Sequence, residues 1–345
     1  MRSFKLVVLE SDMPKVAVVT GAGAGVGRAT AEEFARSGFD VALLSRNSGR
    51  LEAVAERLQR LGARALAIPT DVADAEAVER AAAQVEAELG SIDVWVNVAM
   101  ATIFGPVSEL RPREFERATQ VTYLGQVYGV MAALKRMRPR NRGAIVNVGS
   151  ALSHRAVPLQ SAYCGAKFAV RGFTDSLRSE ILHDGLDIKI VEVDLPAINT
   201  PQFDWSLNTT GFQATPIPPI YQPEVAARAI VFAATHGRRR MWVGLSTIKA
   251  IVGNWIAPGR FDRYLAGAGY CGQLAGPLPS VDAPSNLFEA VPGTYGAHGR
   301  FDDEAKSVNW ETFADQHRAT LAIGAVVLAA IWRRHRRRKR ITRQA

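Results

Sequence analysis

Tyr163 and Lys167 stand four residues apart in Tyr163-Cys164-Gly165-Ala166-Lys167, a spacing that puts a phenol and an ammonium on one face of a helix. A free phenol, with a pKa near about 10, is a poor proton donor or acceptor at neutral pH. A neighbouring cation favours the phenolate and moves the group towards a working range. Upstream, Ser150 closes the run Val148-Gly149-Ser150, and from the end of a strand its hydroxyl can hydrogen-bond a substrate oxygen. The three side chains together suit proton transfer at a carbonyl or alcohol oxygen.

A second constellation suits a dinucleotide. The run Thr20-Gly21-Ala22-Gly23-Ala24-Gly25-Val26-Gly27 follows an apolar β-type segment and precedes an Ala-rich helical one. A turn without side chains lets backbone N–H groups approach a pyrophosphate, and a helix N-terminus adds partial positive charge. Gly21, Gly25 and Gly27 form G-x-x-x-G-x-G, and no register gives G-x-G-x-x-G. The second strand ends in Ser45-Arg46. A basic residue there accommodates a 2′-phosphate where an acidic one would bind ribose hydroxyls, so Arg46 points to NADP(H), with NAD the alternative. Asp40 lies at the opposite end of that strand. Asp71-Val72, just past the third strand, suits contact with an adenine, a helix N-cap turn, or both.

These residues need a scaffold, and the hydrophobic pattern supplies one. Val16–Thr20, Val41–Ser45, Ala65–Pro69, Ile92–Asn97, Ala144–Val148 and Ile188–Asp194 read as short buried strands, with Met241–Val243 a seventh. Amphipathic helices are expected between them, as in Ser48–Leu61, Asp74–Leu89 and Pro223–Ala234. Strand–helix alternation implies an α/β fold, a Rossmann-like doubly wound parallel sheet covered on both faces. The expected organisation is an N-terminal extension at 1–14, a catalytic domain at 15–252, an irregular arm at 253–314 and an apolar segment with a basic tail at 315–345.

The chain has 345 residues and a formal net charge of +9, but eight Lys/Arg residues crowd Arg333 to Arg343, so the rest is close to neutral. That distribution argues against nucleic acid as a partner. Two cysteines give neither a disulfide framework nor a metal-ligand spacing, and point to a reducing, cytoplasmic setting. Ala319–Trp332, fourteen residues without a charge, would make a helix about 21 Å long, short of a bilayer core of about 30 Å. With its basic tail it suits association with an anionic membrane surface on the cytoplasmic side, with docking to a partner helix or a disordered basic tail as the alternatives.

On the glycine loop, Ser150 and the Tyr163/Lys167 pair, the chain resembles the short-chain dehydrogenases/reductases over roughly Lys15 to Gly244. The resemblance implies that Tyr163 is the general acid/base and that Ser150 orients the carbonyl. It implies that Lys167 binds the nicotinamide ribose and lowers the tyrosine pKa, as the positive nicotinamide also does. Asn97 and Ala99 fall in the segment matching the family's Asn-Asn-Ala-Gly, which reads Asn97-Val98-Ala99-Met100 here. Pro196 and Thr200 match the family's nicotinamide contacts, with Ala197 replacing a glycine. Thr122 takes the place of the helix asparagine that anchors a water in the proton relay; its hydroxyl both donates and accepts, which suits a relay from Lys167 through water. Dimers or tetramers are also implied.

The loop after Thr200 carries Phe203, Trp205, Leu207, Phe212, Ile217 and Ile220 with almost no charge. It suits the lid of an apolar pocket and hence a hydrophobic ketone or secondary alcohol. Two rivals share part of the pattern: a nucleotide-sugar epimerase or dehydratase, and a non-catalytic, membrane-tethered NADP-binding protein.

Overall fold

In the computed structural model, which describes residues 15–277 and 284–309, the β-type runs form one parallel sheet of seven strands. They are β1 Val16–Thr20, β2 Asp40–Ser45, β3 Ala65–Pro69, β4 Ile92–Asn97, β5 Gly143–Ser150, β6 Ile188–Leu195 and β7 Arg240–Trp242. The spatial order is β7-β6-β5-β4-β1-β2-β3. The winding therefore reverses between β1 and β4, and a crevice opens there beyond the carboxyl ends of the strands. Every residue of β1 is buried, which is why it reads as a continuous apolar run rather than an alternating one.

Helices α1 Gly25–Arg36, α2 Ser48–Arg60 and α7 Pro223–Thr235 contribute to the core on one face of the sheet through Phe34, Leu51, Leu58 and Ile230. On the other face, α3 Ala75–Glu88, α5 Gly125–Met137 and α6 Ser161–His183 bury Val78, Val85, Val130 and Leu177. Each such side chain, taken from water, contributes about 1.5–3 kcal/mol. The side chains of Asn47 and Asp74 cap α2 and α3, accepting from Arg50 N at 2.9 Å and Ala77 N at 3.0 Å. The doubly wound α/β architecture is the one expected, with strand limits agreeing to within two residues. The difference at β5 matters, because its longer run carries Ser150 to the crevice.

The chain departs from expectation after about Gly253. Helical structure continues through α8 Leu245–Ile256 and α9 Pro258–Tyr264. Gly253 lies inside α8, where a Cβ would fall 2.5 Å from the Phe261 ring. It permits close packing of two helices; it does not break one. Residues 284–309 form no named helix or strand, and they run back to Arg46, Arg50 and Gly25 as part of the body. The extension 1–14 and the segment 310–345, with its apolar run and basic cluster, lie outside the described residues. Among the described residues no helix is long and apolar enough to cross a membrane, and no cluster of His, Cys, Asp and Glu could hold a metal ion.

Candidate active site

The turn after β1 is shaped by what its glycines lack. Gly21 has φ +67°, and a Cβ on it would lie 2.9 Å from Ala99 Cα. A Cβ on Gly27 would lie 2.3 Å from the Gly21 carbonyl oxygen. The first glycine makes the turn and admits the loop after β4, and the last lets α1 press against the turn. The first turn of α1 carries no acidic side chain, so no side-chain charge there repels an anion.

A cavity of about 590 Å³ runs from this turn to Tyr163. Along its cofactor side lie Gly21, Gly23, Gly25, Val26 and Gly27, then Ser45 and Arg46, then Asp71 and Val72. Ala99 follows from the loop after β4, and Pro196 and Thr200 from the segment after β6. Ser150, Tyr163 and Lys167 stand at the far wall. Sites drawn from seven separate parts of the chain thus meet in one space.

Two expected residues do not join them. Asn97 is buried behind the crevice, accepting from Trp95 Nε1 at 2.8 Å and donating to Asn147 Oδ1 at 2.9 Å. Asn147 donates in turn to Thr174 Oγ1 at 3.0 Å, so the Asn97 side chain ties β4 to β5 and α6. Thr122 sits in a π-helical turn, Gln120–Leu124, between α4 Pro112–Thr119 and α5. Its hydroxyl accepts from Ala101 N at 2.9 Å and donates to Ala101 O at 2.7 Å. The turn places this side chain beneath the loop after β4, so the hydroxyl expected in a proton relay is spent on backbone. Lys167 Nζ instead donates to Val148 O at 2.6 Å, a carbonyl it shares with Gln126 Nε2 at 3.2 Å.

At the reacting end, Ser150 and Tyr163 line the same wall, and Lys167 Nζ lies 5.5 Å from the Tyr163 ring centre. Burial pushes the Tyr163 pKa up; the nearby Ser150 hydroxyl opposes this, while Cys164 and the carboxylate of Asp194 add to it. The phenol is therefore kept protonated until positive charge arrives nearby. Burial draws the Lys167 ammonium down to about 8, resisted by Asp194 and Glu192.

Asp194 and His154 also stand beside the site. The register that pairs Gly149 with Asp194 across β5 and β6 brings the carboxylate beside the site. Gly149 leaves it room, since a Cβ there would lie 2.2 Å from Asp194 Oδ1. His154 Nε2 holds the other oxygen at 2.8 Å, in a buried pair. Only pairing of distant strands reveals this group; no local spacing signals it.

Arg46 is not a solvated residue at a strand end. Its guanidinium donates to the carbonyls of Phe288 and Asn286, and burial lowers its pKa against the opposing pull of Asp71. Asp71 serves its own turn, accepting from Ala73 N at 3.0 Å, and pairs closely with Arg117. Gly25 N donates to Gly296 O at 3.1 Å, so the arm reaches the glycine turn as well. At the other end, Phe203, Trp205 and Ile217 of the apolar loop line the cavity. Leu207 pairs with Ile103, Phe212 faces outward and Ile220 is buried in the body. Phe261 and Leu265, which the sequence did not single out, complete the apolar wall from α9 and the turn after it.

The profile of the short chain dehydrogenase family matches residues 15–209, the stretch that carries the glycine turn, Ser150, Tyr163 and Lys167. The chain belongs to the short-chain dehydrogenase family. It is 31% identical over 283 residues to the oxidoreductase YxnA of Bacillus subtilis, covering 81% of this chain and 80% of that one. An alcohol dehydrogenase of Thermococcus sibiricus, solved with 5-hydroxy-NADP, is 28% identical, with a TM-score of 0.57 over 66% of this chain and 94% of that one. L-sorbose reductase of Gluconobacter frateurii, solved with NADPH and L-sorbose, is 25% identical, with a TM-score of 0.60 over 67% and 95%. The protein is a short-chain dehydrogenase by profile, by relatives and by fold, and hence an oxidoreductase of the NAD(P)-binding Rossmann type.

Proposed function

We propose that this short-chain dehydrogenase uses NADP(H) to interconvert a hydrophobic ketone and a secondary alcohol, with Tyr163 as general acid/base. The observation that carries the reading is that Ser150, Tyr163 and Lys167 stand together at the wall of the cavity that also contains the glycine turn. The bare backbone of that turn and the positive end of α1 fit a pyrophosphate once the arm yields Gly25 N, which now meets Gly296 O, and Arg46 fits a 2′-phosphate. Bound nicotinamide supplies or accepts the hydride at the carbon centre.

The side chains account for the proton. Ser150 donates to the carbonyl oxygen and orients it, while the neutral Tyr163 phenol delivers its proton to that oxygen as negative charge develops. Lys167 stabilises the phenolate left behind. In the reverse direction the positive charge of an oxidised cofactor favours phenolate, which takes the alcohol proton. Support for NADP(H) over NAD comes from Arg46 and from the NADP-type ligands in the two similar structures. Support for an apolar substrate comes from Phe203, Ile217, Phe261 and Leu265.

NADPH oxidation measured by absorbance against a panel of apolar ketones tests this, with the alcohols and NADP in reverse. Turnover lost in Tyr163→Phe with dinucleotide binding retained is the expected result. Turnover that survives this substitution refutes the role of Tyr163. The reading extends to a homo-oligomer, favoured by exposed Phe115, Met131 and Phe168 on α4, α5 and α6. It also takes Ala319–Trp332 and the basic tail, from sequence alone, as a contact with anionic membrane on the cytoplasmic side. Flotation with anionic vesicles should carry the full chain, and equal flotation after replacing the tail arginines with glutamine refutes the electrostatic part.

A further inference from the structure

The arginines at the adenosine end of the cleft are held by a segment far from them in sequence. Arg46 Nη1 donates to Phe288 O at 2.8 Å, and Nη2 donates to the carbonyl of Asn286. Arg50 Nη2 donates to Val291 O at 3.1 Å, and its guanidinium lies 5.0 and 5.6 Å from the ring centres of Trp205 and Tyr295. Arg50 Nη1 is buried and has no hydrogen-bond partner among the described residues. Arg117 donates to Leu287 O at 3.1 Å and pairs with Asp71. Three guanidiniums therefore approach one another with Asp71 as the carboxylate their described bonds place among them. Backbone carbonyls give the arginines direction but bring no compensating charge, so the cluster suits a bound dianion.

The segment that supplies these carbonyls is itself anchored. Leu287 is fully buried in the core on the α3–α6 side of the sheet, and Asn286 N donates to Trp205 O at 2.8 Å. An arginine loses rotamer freedom when it clasps a phosphate; one already clamped by fixed acceptors loses less.

We propose that residues 286–291 are a specificity element for the cofactor, setting preference for a 2′-phosphorylated dinucleotide by holding Arg46 and Arg50 in position. The inference rests on the NADP(H) reading above and adds to it that the strand-end arginine is insufficient without the arm. A dinucleotide lacking the 2′-phosphate makes no use of the clamped arginines, so only the phosphorylated form should sense the arm.

The test is the ratio of dissociation constants for NADPH and NADH, measured by calorimetry on the full-length protein. Leu287→Ala should weaken NADPH about tenfold, or ~1.4 kcal/mol, and NADH less than about twofold. Tyr295→Ala, a milder change that removes one ring beside Arg50, should move the ratio in the same direction by less. In an Arg46→Ala/Arg50→Ala background, Leu287→Ala should leave the ratio unchanged. Equal weakening of both dinucleotides, or a ratio shift that persists without the two arginines, overturns the proposal. A wild-type protein with no preference for NADPH overturns the underlying NADP(H) reading instead.

Discussion

Replacing Thr122 by valine separates a structural hydroxyl from a catalytic one. The Thr122 hydroxyl is fully buried, accepting from Ala101 N at 2.9 Å and donating to Ala101 O at 2.7 Å. Valine keeps the branched shape but leaves that buried N–H and C=O without their partner. An unsatisfied buried polar group costs about 1–3 kcal/mol, and valine recovers part of the loss by being apolar, so the net expectation is about 2–4 kcal/mol. For a domain of this size such a change lowers Tm by roughly 5–15 °C. Urea titration should show a lower midpoint at an unchanged slope. Ala101 adjoins Val98, Ala99 and Met100, which line the cleft. The cofactor KM should therefore rise several-fold, while kcat changes by less than about threefold. Thr122→Ser, which retains the hydroxyl, should recover most of the stability. The reasoning is refuted if Thr122→Val melts like the wild type yet loses about a hundredfold or more in kcat, the behaviour of a proton-relay member.

Further expectations follow from the reacting groups and the glycine turn. Tyr163→Phe should lower kcat by about 10²–10⁴-fold in stopped-flow assays of ketone reduction, with NADPH affinity within about twofold of wild type. Lys167 is cationic below its depressed value of about 8, so ketone reduction should fall as pH rises through that range; a flat kcat profile to pH about 10 would contradict its role. Asp194 opposes the loss of that proton, so Asp194→Asn should move the alkaline limb to lower pH, read from the same profiles. Gly27→Ala would place a Cβ 2.3 Å from Gly21 O, and overpacking of this kind costs about 1–3 kcal/mol; thermal melts should fall and dinucleotide binding should weaken with them.

Much of this protein was legible without tertiary information, because its main signals are local. Short β-branched runs between amphipathic helices state a parallel sheet, since strands buried on both faces must be apolar throughout. The glycine turn is local in the same sense: Gly21, Gly25 and Gly27 shape one strand–helix junction. Tyr163 and Lys167 share a helix face by their spacing alone. Helix α8 escaped notice because Gly253 looks like a break when the Phe261 ring that requires it cannot be seen.

What tertiary structure decided is where polar groups spend their hydrogen bonds. Thr122 and Asn97 are of the right type to serve the site, but buried backbone and side-chain partners claim them first. Asp194 enters beside Tyr163 through strand register, and Arg46 meets its carbonyl acceptors some 240 residues away. A hydrogen bond is satisfied by whatever lies within about 3 Å of the donor, whatever its distance along the chain. Residue type and spacing therefore determined the reaction chemistry, and long-range packing determined which polar groups remain free to perform it.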